Sequence, residues 1–182
     1  MSLNAKDDPM LRTWRFTIPL PPHGKGRGRA FRAGKSIRVV TPAKTRSYEA
    51  AVAEIAREAI GDEILKGPLA MRILAVFDRP QRLAKVYKAT GDPKFPAKCL
   101  WAPTLPDADN ISKAVCDGAA SVMSNDKQVV ALEVVKVYAE MRKTPSGWAC
   151  EAPKVVVEIR ELDGQGVAFY SLPNWAKGSG DA

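Results

Sequence analysis

Two aspartates in the middle of the chain have the chemistry and the spacing to hold a divalent cation. Asp107 and Asp109 follow Pro106 directly, at the start of an amphipathic run, and Asp117 and Asp126 lie further along. Mg²⁺ takes oxygen ligands, usually one or two carboxylates completed by water and a substrate phosphate. This acidic turn at a predicted helix N-terminus therefore suits such an ion.

The residues that follow have the periodicity of a helix from about 107 to 122. Apolar side chains form one stripe of this helix, and charged side chains form a line on the opposite side. The helix would bury one face and present the other to a ligand. A plainer interpretation is that Asp109 caps the helix and that the charged line is a solvated ladder of i,i+4 pairs. The stripe consists of Ile111, Ala114, Val115, Gly118, Ala119 and Val122, and the line of Asp109, Lys113 and Asp117.

Positive charge is concentrated in two segments of the chain, whose net charge is +8. Eight Lys or Arg and no acid lie between His23 and Arg46, and six Lys or Arg with one acid lie between Arg79 and Lys98. The rest of the chain is net negative. Such local charge indicates a polyanionic partner. Lysines that only keep loops soluble would be interspersed with acids.

Length, composition and cysteine usage exclude several classes of protein. A chain of 182 residues that is 46% hydrophobic can bury the core of one domain. No apolar run approaches about 18 residues and no secretory segment opens the chain, so we expect a soluble, cytoplasmic protein without a membrane partner. Cys99, Cys116 and Cys150 lack the C-x-x-C spacing of a zinc site or redox pair. The single histidine, His23, excludes a histidine-metal cluster within one chain and is interpreted as a phosphate contact or a bystander.

The pattern predicts one α+β domain over residues 14–162, preceded by a flexible arm (1–13) and followed by a flexible tail (163–182). An amphipathic helix is predicted over residues 42–60, with Pro42 as its first helical residue. Leu69–Phe77 is apolar along its whole length, which is typical of a central strand.

Two pairs of strands are predicted as hairpins. Ala30–Arg32 and Ser36–Val40 flank a turn at Gly34. Val129–Ala139 is expected to pair antiparallel with Lys154–Arg160. The segment from 79 to 104 is too long for a simple connection, and loops of that length tend to be functional or mobile.

Several motifs together resemble a known family, the RusA-type Holliday junction resolvases, which are endonucleases common on prophages. The resemblance covers roughly residues 14–161 and extends to the order of elements, in which a basic segment and a helix precede the acidic motif. The combination is more specific than the aspartate pair alone. The motifs are Pro106-Asp-x-Asp-Asn-x-x-Lys113, then Asp117, then Asn125-Asp126-x-Gln128-Val129, then Lys136-x-Tyr138.

The resemblance implies a small mixed sheet of about four to six strands with two main helices, assembled as a homodimer. It implies Mg²⁺-dependent cleavage of four-way DNA junctions in recombination and repair, with Mn²⁺ as a substitute and no small-molecule cofactor. The protein would be of bacterial or phage origin and associated with the nucleoid.

The resemblance also implies roles for individual residues. Asp107, Asp109 and Asp126 would bind the metal and act in catalysis, with Lys113 in support, and Asn110 and Asp117 would lie around them. The family often has two acids at the third position, and Asn125 takes the first here, so only Asp126 can supply the charge. The residues expected to bind DNA are Lys25, Arg27, Arg29, Arg32, Lys35, Arg38, Lys44, Arg46, Arg82, Lys85 and Lys88.

Two other functions remain open on the sequence. One is a basic protein that binds nucleic acid without cleaving it, in which the acids are caps and surface charges. The other is a nuclease for other branched DNA, such as flaps and replication forks. The first predicts salt-sensitive binding without nicking in Mg²⁺ or Mn²⁺, and the second predicts a different substrate preference.

Overall fold

The structure is a computed structural model that describes residues 11–34, 36–84 and 100–162. The predicted tail and most of the predicted arm lie outside these ranges. In the described chain the main helices are α1 (Ala43–Ile60) and α2 (Ala108–Ala119), with short helical turns at Ala120–Val122 and Asp126–Gln128 and a helical segment at 81–84. The strands are β1 (Thr13–Ile18), β2 (Arg29–Ala33), β3 (Ser36–Val40), β4 (Leu69–Phe77), β5 (Leu100–Trp101), β6 (Val129–Tyr138), β7 (Met141–Thr144), β8 (Gly147–Cys150) and β9 (Lys154–Glu161).

A five-stranded sheet is the frame of the fold. Its strands lie in the order β1, β9, β4, β6, β5. β4 pairs antiparallel with β9 and parallel with β6, and β5 pairs only with the last two residues of β6. The mixed sheet with its two main helices confirms the predicted α+β class, and the interior position of β4 confirms that Leu69–Phe77 is a central strand.

One of the two predicted hairpins is present and the other is wrong. β2 and β3 pair antiparallel around Gly34, whose φ of 63° is one that glycine adopts readily. β6 and β9 do not pair with each other, because β4 lies between them and pairs with both. β7 and β8 form a separate hairpin instead. The prediction assumed that strands consecutive in sequence are neighbours, which is usual but not obligatory.

Both helices pack on one face of the sheet. Alternate residues of the inner strands are buried together with apolar side chains of α1 and α2. On α2 the whole predicted apolar stripe is buried, and the predicted charged line is exposed. Complete burial of a side chain such as Ile111 stabilises the fold by about 1.5–3 kcal/mol. The buried strand residues are Met71, Ile73 and Ala75 of β4 and Val155, Val157 and Ile159 of β9.

The two helices cross at Gly118. A Cβ atom at this position would lie 2.5 Å from the Cβ of Val52 and 2.9 Å from the carbonyl oxygen of Glu49. Real Cβ atoms do not approach other atoms so closely, so the crossing requires a residue without a side chain. This contact fixes where α2, and the acids at its start, lie relative to α1.

Gly118→Ala is expected to lower the free energy of unfolding by about 1–3 kcal/mol, because the added methyl forces the helices apart. Alanine favours a helix over glycine by about 1 kcal/mol, so the crowding must exceed that gain. Urea denaturation measures the change, with the exposed α1 variant Glu58→Ala as a control that stays within about 0.5 kcal/mol. An unchanged or raised stability of Gly118→Ala would contradict this packing.

The start of α1 differs from the prediction by one residue. Pro42 is the N-cap, with φ of −54° and ψ of 143°, and the helix begins at Ala43. The Pro42 carbonyl accepts the first helical hydrogen bond, from the Arg46 amide at 3.1 Å. No helix in the described ranges has the length and apolarity needed to cross a membrane.

Candidate functional site

The acidic motif lies at the N-terminus of α2. Asp107 is the N-cap, in an extended conformation, and its carbonyl accepts the amide of Ile111 at 3.0 Å. Its side chain makes no capping hydrogen bond, so the carboxylate is not used to stabilise the helix. The plainer interpretation is wrong in making Asp109 the cap, because Asp109 lies inside the first turn, but the i,i+4 pair of Asp109 and Lys113 that it expected is present. Both aspartates are exposed.

Asp109 and Lys113 form an i,i+4 ion pair on the exposed side of α2. The Lys113 ammonium lies 3.1 Å from the Asp109 carboxylate, and both side chains are about 60% exposed (60% and 64%). The hydrogen bond from Lys113 lowers the pKa of Asp109 below its ordinary value. This shift favours the ionised form of the Asp109 carboxylate. A pair this exposed contributes little to stability, so both groups are available to a ligand.

Asp126 is presented by a turn that two neighbouring side chains hold in place. The Asn125 side chain accepts the Lys127 amide at 2.9 Å, and the Gln128 side chain accepts the Asn125 amide at 2.9 Å. Gln128 also donates to the carbonyl of Gly67 at 2.8 Å. This reciprocal capping explains why an N-D-x-Q sequence suits the turn. The side-chain amides of Asn125 and Gln128 form hydrogen bonds with the backbone. The exposed Asp126 carboxylate is therefore the acidic group of this turn.

Asp126 lies in the short helical turn between α2 and β6. Burial raises the pKa of the Cys116 thiol to about 11, and the negative charge of Asp126 adds to this rise. Cys116 is on the third turn of α2, and its sulfur contacts the sulfur of Met71 at 3.7 Å. The acid pair thus lies at the start of α2, and Asp126 lies in a separate turn after its end. In the described ranges no three His, Cys, Asp or Glu side chains are gathered closely enough to hold a metal ion.

The chemistry of the donors fits a hard divalent cation. Asp107, Asp109 and Asp126 are exposed and supply carboxylate oxygens, which Mg²⁺ prefers. The Asp107 side chain makes no capping hydrogen bond, and the side chains that cap the Asp126 turn are those of Asn125 and Gln128. The structure places Asp107 and Asp109 at the start of α2 and Asp126 in the turn that follows it, and the role of the three as metal ligands stays a prediction.

The first basic segment, which begins at His23, contacts both helices. The Lys25 amide donates to the Asn110 carbonyl at 2.8 Å, and the Lys25 ammonium pairs with Asp117 and lies 3.9 Å from Glu49. Gly24 contacts Pro106 so closely that a Cβ there would lie 2.5 Å from the proline Cβ. Lys25, a predicted DNA contact, and Asp117, predicted to lie around the metal ligands, thus neutralise each other.

His23 also belongs to this packing. Its ring lies 3.3 Å from the hydroxyl of Thr45 and 5.4 Å from the centre of the Tyr48 ring. Thr45 is buried and accepts the Gly26 amide at 3.2 Å. Burial raises the pKa of Tyr48 to about 12, so the phenol stays neutral. His23 therefore anchors the basic segment to α1, a role that the sequence did not reveal.

The other predicted DNA contacts fall into two groups. Those with described side chains are exposed, and they are Arg27, Arg32, Arg38, Lys44, Arg46 and Arg82. Arg32 and Arg38 lie on the two strands of the β2–β3 hairpin. The second group lies outside the described part of the chain. It consists of Lys35, Lys85 and Lys88 and of the side chain of Arg29, whose backbone is in β2.

These features define an α+β protein with exposed carboxylates on one helix and exposed cations on the segments beside it. The family model of endodeoxyribonuclease RusA matches residues 19–145. The chain belongs to the RusA endodeoxyribonuclease family, as the sequence motifs indicated. It is also 29% identical over 149 residues to an uncharacterised Bacillus subtilis protein, YqaN, with 81% of this chain and 96% of that protein covered.

Proposed function

We propose that the protein is a Mg²⁺-dependent, structure-specific endodeoxyribonuclease that resolves Holliday junctions by paired nicks during DNA recombination and repair. The main support is the position of Asp107 and Asp109, which are exposed at the start of α2 in a chain that belongs to this nuclease family. The proposal gives these carboxylates, with Asp126, the task of holding the cation against the scissile phosphate.

The cation would be held by Asp107, Asp109 and Asp126, and Mn²⁺ would be an alternative to Mg²⁺. A bound divalent ion would act as a Lewis acid: it would lower the pKa of a bound water and stabilise negative charge on the phosphate. The protein contributes the carboxylates and their rigid supports. These supports are the packed helix α2 and the capped turn that carries Asp126.

Lys113 has two roles in the proposal. Its ammonium holds the Asp109 carboxylate at 3.1 Å, which orients one ligand. It also places a positive charge one helical turn from the acid pair, where it offsets the negative charge of a bound phosphate. Lysine acts as a point charge on phosphate and needs no fixed geometry for this.

The exposed arginines and lysines would bind the DNA backbone. Contacts to phosphate position the DNA but carry little sequence information. They also make the affinity fall steeply with salt. Of the predicted contacts, Lys25 is expected to contribute least, because its ammonium already pairs with Asp117.

A homodimer is part of the proposal. A four-way junction has nearly two-fold symmetry, so a C2 dimer would present two equivalent sites to two strands of the same polarity. Paired nicks then follow from one binding event. Sedimentation at concentrations used for cleavage measures the assembly directly.

Cleavage of a fixed four-way junction, a flap and a linear duplex in one buffer tests the function. With Mg²⁺ or Mn²⁺ we expect symmetrically paired nicks in the junction and much slower cleavage of the other two. With EDTA we expect binding without nicking. Salt-sensitive binding without nicking in either metal would indicate a non-catalytic binding protein, and preferred cleavage of the flap would indicate a different branched substrate.

A further inference from the structure

Lys136 lies on β6, where the sheet contacts the segment that leads into α2. Its backbone carbonyl accepts the Ala102 amide at 3.1 Å, and its ammonium donates to the Thr104 carbonyl. The same ammonium lies 5.6 Å from the centre of the Phe77 ring. One residue thus holds two points of the segment, Ala102 through its backbone and Thr104 through its side chain.

The environment of Lys136 is unusual for a lysine. Its side chain is half-buried. None of the ion pairs found among the described residues involves it. Removing an ammonium from water costs free energy. Contacts with a carbonyl and an aromatic face recover only part of this cost. The position therefore carries a cost that a sheet-forming apolar residue would avoid.

The segment held by Lys136 ends at the first predicted ligand. Only Leu105 and Pro106 separate Thr104 from Asp107, and Pro106 packs against Gly24. Asp107 itself lies outside the first helical turn and makes no side-chain cap. As the N-cap, Asp107 is held by α2 through its carbonyl and by the linker from Thr104 to Pro106 through the backbone, and Lys136 contacts the start of this linker.

We propose that Lys136 is a positioning residue for Asp107. It acts through the Thr104 carbonyl and does not touch the DNA. This inference rests on the proposed nuclease function, because it gives Asp107 a position that matters for cation binding. Residues that orient metal ligands typically change metal affinity or activity by about 10- to 100-fold when they are replaced.

The test compares Lys136→Met, which keeps length but loses the charge and the donors, with Lys136→Arg, which keeps both. Lys143→Met on β7 is the matched control for the loss of one lysine, because its side chain is exposed and lies on the separate hairpin. For Lys136→Met we expect the Mg²⁺ concentration for half-maximal junction cleavage to rise about 10-fold or more, with KM for DNA unchanged. Lys136→Arg should need a Mg²⁺ concentration close to that of the wild-type protein.

Hydrogen exchange of the free protein gives a readout that does not depend on activity. The amides of Ala102 and Thr104, which donate to the carbonyls of Lys136 and Ala102, should exchange faster in Lys136→Met, while amides of the inner strand β4 should be unchanged. If the wild-type protein fails to cleave any junction, the proposed function fails, but this measurement still decides whether Lys136 orders the linker.

Three results would overturn the inference. A rise in KM for DNA with a smaller salt dependence and an unchanged Mg²⁺ requirement would mean that Lys136 binds phosphate directly. A lower free energy of unfolding with an unchanged Mg²⁺ requirement would mean a purely structural role. Unchanged exchange at Ala102 and Thr104 would mean that the linker does not depend on Lys136.

Discussion

Replacing Asp107, Asp109 or Asp126 by asparagine is expected to slow junction cleavage by roughly 10²- to 10⁴-fold, which corresponds to about 3–5 kcal/mol of lost transition-state stabilisation. Asparagine keeps the size of each side chain and removes the charge that a divalent ion requires. Each acid is exposed, so its replacement should leave the fold intact. Single-turnover cleavage in Mg²⁺ measures the rate, and urea denaturation checks the stability.

Asp62→Asn is the matched control for these three variants. Asp62 is an exposed aspartate in the connection after α1, and it should retain the wild-type rate. DNA affinity in EDTA should be unchanged or slightly higher in the three site variants, because a negative charge near the phosphates is removed. A wild-type cleavage rate in any one of them would exclude that residue as a ligand. For Asp126 this result is the most informative, because its neighbour Asn125 cannot replace the charge.

The double variant Arg32→Ala/Arg38→Ala is expected to weaken junction binding by roughly 10- to 100-fold at about 0.1 M salt. The two arginines are exposed on opposite faces of the β2–β3 hairpin, because Arg32 pairs with Ile37 and Arg38 with Phe31, so the double variant removes one cation from each face. Each phosphate contact that is lost should reduce the slope of log affinity against log salt by about one, so the double variant should lose about two. Fluorescence anisotropy with labelled junction in EDTA measures both quantities without cleavage.

The β7–β8 hairpin provides a control with the same change of charge. Arg142→Ala/Lys143→Ala also removes two positive charges from two exposed hairpin residues. If only net charge mattered, the two double variants would weaken binding equally. We expect the β7–β8 variant to keep most of the affinity and the salt slope. Equal losses would contradict a binding surface localised at β2–β3.

The sequence predicted local structure well where a repeating pattern was long. The α2 stripe was correct because helical spacing over many residues determines which side is buried. The hairpin at Gly34 was correct because a turn residue lies between two short alternating runs. The family motifs were sufficient to identify the RusA family, which the match over residues 19–145 confirms.

The sequence pattern did not predict contacts between residues that are far apart in the chain. Nothing in the run from Val129 to Ala139 shows that it pairs with β4 in parallel and not with β9, because a partly buried strand has the same composition in both arrangements. Lys25 was indistinguishable from the other cations of its segment, and only its contact with Asp117 shows that it is neutralised. The reciprocal cap of Asn125 and Gln128 could have been found, since a cap residue and a glutamine three positions later are a known signature of a helical turn.

The number of residues between the acid pair and the third acid cannot vary freely. α2 is the crossover between the parallel strands β4 and β6, with Asp107 where the chain enters it and Asp126 where the chain leaves it for β6. One inserted residue in the helix would rotate everything after it by about 100° and advance it by about 1.5 Å. It would also move Gly118 out of the crossing with Val52. The helix between these acids should therefore keep a fixed number of residues.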